Sequence, residues 1–238
     1  GLHLIIDSIR PDIVFHTAAL KLLVMLERFP REGYLTNILG TRNVISAGLK
    51  VPIARFINVS TDKAANPTSI LGRTKRIGEI ITQETALQRN EIWSSVRFGN
   101  VFASRGSVIE TFMHQLTNGI PITLTDKEVT RFFMSHDEAA NLILASACMR
   151  ESGTFIQQMG ERVLILDVIN NLASALGVKA DIRIIGLQNG EKLHEELFGG
   201  TSEKTSNASI QKLAVSNKTD LTSRLAELDL PTTDAHAK

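Results

Sequence analysis

The chain has 238 residues, 43% of them apolar and 21% charged, with a formal net charge of +1. That supplies one sizeable core with room for a small lobe, and the near-neutral balance gives no footing for nucleic acid or a membrane surface. The single cysteine, Cys148, excludes an intramolecular disulfide and a cysteine zinc cluster, no apolar run spans a bilayer, and no metal is expected in this cytoplasmic-type composition.

Leu2–Ile9 is apolar at helical spacing and stops at Arg10-Pro11. With Gly1 where a Met would stand, it reads as the middle of a longer chain. Asp12–His16 is a short β-rich run followed by the small residues Thr17-Ala18-Ala19. Helical periodicity covers Leu35–Lys50 and ends near Gly48. Phe56–Ser60 predicts a second strand, and 67–88 contains a long helix bearing Lys75, Arg76 and Glu79. Trp93–Val96 predicts a third strand that opens into Arg97-Phe98-Gly99-Asn100. Helices alternating with short apolar strands predict an α/β fold with a doubly wound parallel sheet.

Beyond about residue 100 the pattern loosens. Helices are expected over Val108–Asn118, His136–Met149 and Leu166–Leu176, with Cys148 as a buried filler. Short strands are expected at Ile122–Leu124, Thr154–Gln158 and Ile182–Ile185. A turn at Gly186 and Gly190 precedes a helix starting over Glu191–Leu197. From Gly199 to about Lys218 the composition turns polar and predicts a flexible segment, with a short amphipathic helix near Leu221–Leu228.

In a parallel α/β sheet, ligands bind beyond the carboxyl ends of the strands. Three such ends carry polar residues here: Ala18-Ala19-Leu20-Lys21, Ser60-Thr61-Asp62-Lys63 and Arg97-Phe98-Gly99-Asn100. Each alone reads as a strand-to-helix turn with Asp62 or Asn100 as a cap. Three in register on successive strands point to one crevice.

Val59-Ser60-Thr61-Asp62-Lys63-Ala64-Ala65-Asn66-Pro67-Thr68, with Gly72-Arg73-Thr74-Lys75-Arg76, resembles the active-site segment of bacterial UDP-N-acetylglucosamine 4,6-dehydratases of polysaccharide biosynthesis, a branch of the extended short-chain dehydrogenase/reductases. Matching segments run in order from about residue 10 to 198. They include Pro11–Ala19 with Lys21, Thr36-Asn37, Ser104–Ile109, Val129–Met134 and Gly190–Leu193. The resemblance implies a Rossmann-like sheet with its N-terminal strands missing. Residues 1–105 would be part of a dinucleotide-binding domain, 106–198 a small mixed α/β substrate lobe with elements returning to the main sheet, and 199–238 a polar, partly flexible tail.

Enzymes of this kind oxidise the sugar at C4 transiently, remove the C5 proton and expel the C6 hydroxyl as water. The resemblance implies Lys63 as the C5 base, Asp62 as the acid at the C6 hydroxyl, Thr61 near O4, and Lys75 as the lysine of the cofactor ribose. It places Ala18, Ala19, Lys21, Asn37, Ser60, Phe98 and Val101 along an NAD or NADP cofactor. Asn100, Ser107, Arg131 and Glu191 would hold the UDP-sugar, although Glu191 reads nearly as well as a helix-start carboxylate. Relatives are oligomers, and many are anchored to the inner membrane by an N-terminal region.

The chain departs from the pattern at several places. The glycine-rich turn that holds a cofactor pyrophosphate is absent and is expected to precede residue 1, leaving an apolar strand edge at Asp12–His16. Leu71 stands where the wider superfamily has tyrosine and the membrane-anchored dehydratases tend to have methionine, and the one tyrosine, Tyr34, lies far upstream. Leu22-Leu23-Val24 and Gln188-Asn189 replace a His-Val-Pro run and an Arg-Pro. A UDP-sugar 4-epimerase on the same scaffold, or a non-catalytic nucleotide-sugar-binding remnant, stay open as alternatives.

Overall fold

The computed structural model describes residues 1–214. Helix α1 (Leu2–Ile9) leads through a left-handed Arg10 into strand β1 (Ile13–His16). Two short helices follow, α2 (Leu23–Arg28) and α3 (Pro30–Gly33), the second with Pro30 in the first helical position, where a missing N–H costs nothing. A π-helical stretch, Tyr34–Gly40, continues directly into α4 (Thr41–Gly48). Strand β2 (Arg55–Thr61) precedes the 20-residue helix α5 (Ile70–Arg89), which Ser69 caps by accepting the Gly72 N–H at 3.0 Å. Strand β3 (Trp93–Phe98) completes this half of the molecule.

The second half holds β4 (Asn100–Val101), α6 (Val108–Thr117), β5 (Ile122–Leu124), β6 (Thr130–Arg131) and β7 (Phe133–Met134). Then come α7 (His136–Cys148), β8 (Gly153–Gln157), β9 (Val163–Leu164), α8 (Ile165–Leu176), β10 (Ile182–Ile184), β11 (Ser202–Lys204) and β12 (Ile210–Leu213). The main sheet has the order β1-β2-β3-β8-β12-β11. β1, β2, β3 and β8 are mutually parallel, and β12 and β11 join antiparallel.

Side chains alternate across β2, so one strand feeds two cores. Phe56 packs with Trp93, Ile45, Ile77 and Ile81 on the face covered by α1, α4 and α5. Ile57 packs with Val96, Phe155 and Leu142 on the face covered by α7. Helix α5 is buried nearly all round, which is why its sequence is only weakly amphipathic. The lobe has its own core, in which Phe112 and Leu116 of α6 meet Ile122, Leu124 and Ile169. Its β5 pairs with β10, β4 with β7 and β6 with β9. Strand β1 pairs only with β2 among the described residues, and Ile13 and Phe15 are exposed on it.

Three expectations need correction. The polar stretch after Gly199 is not a flexible loop as far as Ala214: Ile210 and Leu213 face the core, and β12 pairs with β8. Glu191–Leu197 is not helical, because its side chains and backbone are tied across the site described below. Cys148 is exposed, since the buried face of α7 is set by Ala139, Leu142 and Ser146. The helix expected near Leu221–Leu228 lies outside the described residues. Among the described residues no helix is long and apolar enough to cross a membrane.

Candidate active site

Strand β2 leaves the sheet at Thr61, and Asp62–Ala64 make one 3-10 turn. Thr61 Oγ1 accepts the Lys63 N–H at 3.4 Å and donates to Asp62 Oδ1 at 2.8 Å. Lys63 folds back so that its ammonium donates to Asp62 Oδ1 at 3.0 Å and to Asn100 Oδ1 at 3.4 Å. Asp62 is fully buried, and Lys63 keeps 17% of its side chain exposed. The structure thus brings together Thr61, Asp62, Lys63 and Asn100, from the ends of two adjacent strands.

The first turn of α5 presses against this turn. A Cβ on Gly72 would lie 2.2 Å from the Lys63 carbonyl oxygen, so only glycine permits the approach. Behind it stands a buried ion pair. Arg97 on β3 grips Glu79 through Nε and Nη2, both at 2.8 Å, and also donates to the carbonyls of Ala64 and Phe198. Ser60 donates to the same carboxylate at 2.6 Å. Burial acts to raise the Glu79 carboxyl, but Arg97, Arg76 and Ser60 outweigh it and hold its pKa at about 2. The hydroxyl of Ser60 therefore serves the support of the turn, through Glu79.

Leu71, Lys75 and Glu79 recur at helical spacing on one side of α5 and are all buried. Burial lowers the Lys75 pKa to about 8, with Glu79 pulling the other way. Lys75 is only 6% exposed, and its ammonium has no hydrogen-bond partner among the described residues. His16, at the end of β1, is lowered to about 4 by burial and by Lys75. It stays neutral, with Nε2 2.9 Å from Thr41 Oγ1. A buried cation without a partner, at the carboxyl ends of the strands, fits the ribose hydroxyls of a nicotinamide cofactor.

The loop after β1 is held from below. Asn37 accepts the Leu20 N–H at 2.8 Å and donates to the Leu20 carbonyl at 3.0 Å and to Thr74 at 3.1 Å. Its amide is thus engaged in clamping the loop that presents Ala18 and Ala19. Lys21 reaches across to the Arg105 carbonyl at 2.6 Å.

On the lobe side, Phe98 and Val101 are half-buried beside the core under α7. Ser107 caps α6, accepting the Glu110 N–H. Arg131 and Glu191 meet each other: Nη2 donates to Glu191 Oε1 at 2.6 Å, while Nη1 donates to the carbonyls of Thr130, Lys192 and Leu193. The segment around Glu191 is pinned over the turn, with Lys192 donating to the Ala65 carbonyl at 2.9 Å and Thr68 to the Gly190 carbonyl at 3.0 Å. Glu27 adds a tie that has no local signal in the sequence, accepting the Ile70 N–H at 2.6 Å and the Asn189 amide N–H at 3.3 Å. A second unpredicted residue, Glu195, is buried with Oε1 3.8 Å from the Lys63 ammonium.

Residues 1–217 match the family described as "Polysaccharide biosynthesis protein", and the chain belongs to it. It is 39% identical over 199 residues to the capsular polysaccharide biosynthesis protein CapD of Staphylococcus aureus, a match covering 82% of this chain and 33% of that protein. It is 39% identical over 189 residues to a UDP-glucose 4-epimerase of Rickettsia canadensis, covering 78% of this chain and 55% of the relative. The chain thus spans a third to three-fifths of the length of such relatives. Among solved structures, Pen from Bacillus thuringiensis superposes with a TM-score of 0.81 at 31% identity, covering 91% of this chain and 70% of that one. The Thermus thermophilus UDP-glucose 4-epimerase in complex with NAD superposes at 0.77 with 20% identity, covering 83% and 72%, which shows the shared Rossmann-type fold.

Proposed function

We propose that this chain forms the catalytic turn and substrate side of a UDP-N-acetylhexosamine 4,6-dehydratase of polysaccharide biosynthesis. The observation that carries the reading is the hydrogen-bonded pair of half-buried Lys63 and fully buried Asp62, in a chain whose residue 71 is leucine, unable to move a proton. The substrate ring would lie over the turn, with Lys63 and Asp62 on the C5–C6 side.

When bound, NAD or NADP along Ala18, Ala19, Lys21 and Lys75 supplies a reversible hydride acceptor for C4. Lys63 removes the C5 proton, which the C4 ketone has made acidic. Asp62 gives a proton to the C6 oxygen, and water departs. Lysine can act as base only as the free amine, so its proton must first move along the 3.0 Å bond to Asp62. That single transfer creates the base and the acid together. After water leaves, Lys63 is again an ammonium and Asp62 a carboxylate, so the elimination itself leaves the pair as it began; the proton given up by O4 on oxidation at C4 would be matched by the one that C5 takes up as C6 is reduced. Thr61, bonded to Asp62, orients that carboxyl. Asn100, Ser107 and Arg131 are retained as nucleotide residues. Arg131 can grip a diphosphate only by giving up Glu191 or a backbone carbonyl.

The test is incubation with NAD and UDP-N-acetylglucosamine, using both the chain and a version extended upstream to include a glycine-rich turn, read by mass spectrometry. The expected product has lost one water, and Lys63→Ala abolishes that loss. A Lys63→Ala variant with normal turnover refutes the base assignment. The relatives named UDP-glucose 4-epimerase favour a second reading, epimerisation at C4, which yields a product of unchanged mass.

A further inference from the structure

Lys63 faces two buried carboxylates and not one. Asp62 Oδ1 lies at 3.0 Å and Glu195 Oε1 at 3.8 Å, and the two residues are 0% and 2% exposed. Each carboxyl also holds one oxygen, Asp62 Oδ2 and Glu195 Oε2, that is buried with no hydrogen-bond partner. Two other cations face Glu195, Arg131 on β6 and Lys192 on its own segment. Both are engaged elsewhere, Arg131 with Glu191 and three carbonyls, Lys192 with the Ala65 carbonyl. One ammonium is therefore left to serve two buried carboxyls, and a second buried charge without a partner is strongly unfavourable.

Geometry also says which of the two keeps a proton. Asp62 has the closer lysine contact and a second donor in Thr61 at 2.8 Å. Glu195 has neither. We propose that Glu195 is a positioning residue for Lys63 that rests as a neutral carboxylic acid, keeping a second negative charge away from the ammonium so that its proton can pass to Asp62. The inference rests on the dehydratase reading for its role in the reaction, but not for the charge it assigns. Burial pushes the Glu195 carboxyl above the usual carboxylate range; Lys63 pulls it down, Asp62 pushes it up, and Arg131 and Lys192 pull it down. An ionised Glu195 would hold Lys63 in its protonated form, and a protonated lysine removes nothing from C5.

The charge is read directly by infrared spectroscopy of the chain near neutral pH. The expected result is a carbonyl stretch of a protonated carboxylic acid, shifted in deuterium oxide and lost in Glu195→Gln. The role is read from the pH dependence of water loss. Wild-type kcat/KM should decline on the alkaline side as Glu195 ionises, and Glu195→Gln should lose that ionisation from its profile. A spectrum unchanged by Glu195→Gln overturns the proposal, and so does a pH profile with the same ionisations in the variant as in wild type; the alkaline decline that Lys75 contributes near pH 8 is common to both. Glu195→Asp, which keeps a carboxyl on a shorter stem, should restore the ionisation, and its absence there counts against the assignment. A protein that shows the infrared band but releases no water, even when extended upstream to include a glycine-rich turn, supports the charge of Glu195 and refutes the dehydratase reading alone.

Discussion

Lys75 offers a test in which activity and stability move in opposite directions. Its ammonium is buried on α5 without a hydrogen-bond partner, and burial lowers its pKa from 10.5 to about 8. The gap between 10.5 and about 8, at roughly 1.4 kcal/mol per pH unit, is about 3 kcal/mol. The sign follows from proton binding. Below about pH 8 the lysine is charged in both states, and the folded state carries the whole cost of burying it. Between about 8 and 10.5 the folded lysine is neutral while the unfolded one still holds its proton, so wild-type stability gains with rising pH.

Replacing Lys75 with Met keeps an unbranched side chain and removes the charge. The expected gain near neutral pH is about 3 kcal/mol, which for a chain of this length raises Tm by roughly 6–12 °C. Near pH 10.5 most of that gain should vanish. Denaturant unfolding of both proteins at the two pH values measures the difference, and any constant benefit of Met in packing cancels in the comparison. Water loss should fall in the same variant, since the cation proposed to face the cofactor is gone. A Lys75→Met protein no more stable than wild type near neutral pH refutes the reasoning. An equal gain at both pH values refutes it as well, because it would trace to packing and not to charge.

Two further outcomes follow from the support of the turn. Gly72→Ala sets a Cβ against the Lys63 carbonyl, so stability should drop by about 1–3 kcal/mol, and turnover should fall more than affinity because the proposed base is displaced; unchanged thermal unfolding would count against the close approach. Arg97→Met strands Glu79 in the core and should cost about 3–5 kcal/mol by denaturant unfolding, with Glu79→Gln added to it recovering part of the loss.

Most of the sheet was legible from its strands. β2 and β3 are largely buried and read as short strands even though Asn58, Ser94, Ser95 and Arg97 interrupt their apolar residues, and α5 lies within the helical stretch read over 67–88. The strands β11 and β12 were not legible, because an antiparallel strand at the rim needs few apolar residues. Ile210 and Leu213 alone face the core, and Glu203, Lys204, Gln211 and Lys212 read as loop. The segment after Gly190 was misread for the opposite reason. Glu191-Lys192-Leu193-His194-Glu195-Glu196-Leu197 has good helix formers, but its polar groups are held by Arg131, Ala65 and Asn66, and these tertiary bonds outweigh local propensity. The pairing of Arg131 with Glu191, 60 residues apart, has no local signal at all.

The two lysines show why residue identity and residue role separate at this point. Both stand on motifs that sequence alone picks out, yet each meets a different electrostatic environment. Lys75 is left without a direct partner, because the carboxylate one turn further along α5, Glu79, is taken by Arg97, Arg76 and Ser60. Its cation is thus destabilised and available to a ligand. Lys63 has the reverse arrangement, with one carboxylate in contact and a second close by. If both carried full charge, the ammonium would be held too firmly to act as a base. If neither did, Lys63 would lose both its ionic partner and the carboxylate that takes up its proton. A base and acid on consecutive residues therefore require an asymmetric pair of carboxyls, one bonded tightly and one neutral. On the proposed reading, the unequal distances of Asp62 and Glu195 from the Lys63 ammonium give that asymmetry its structural basis.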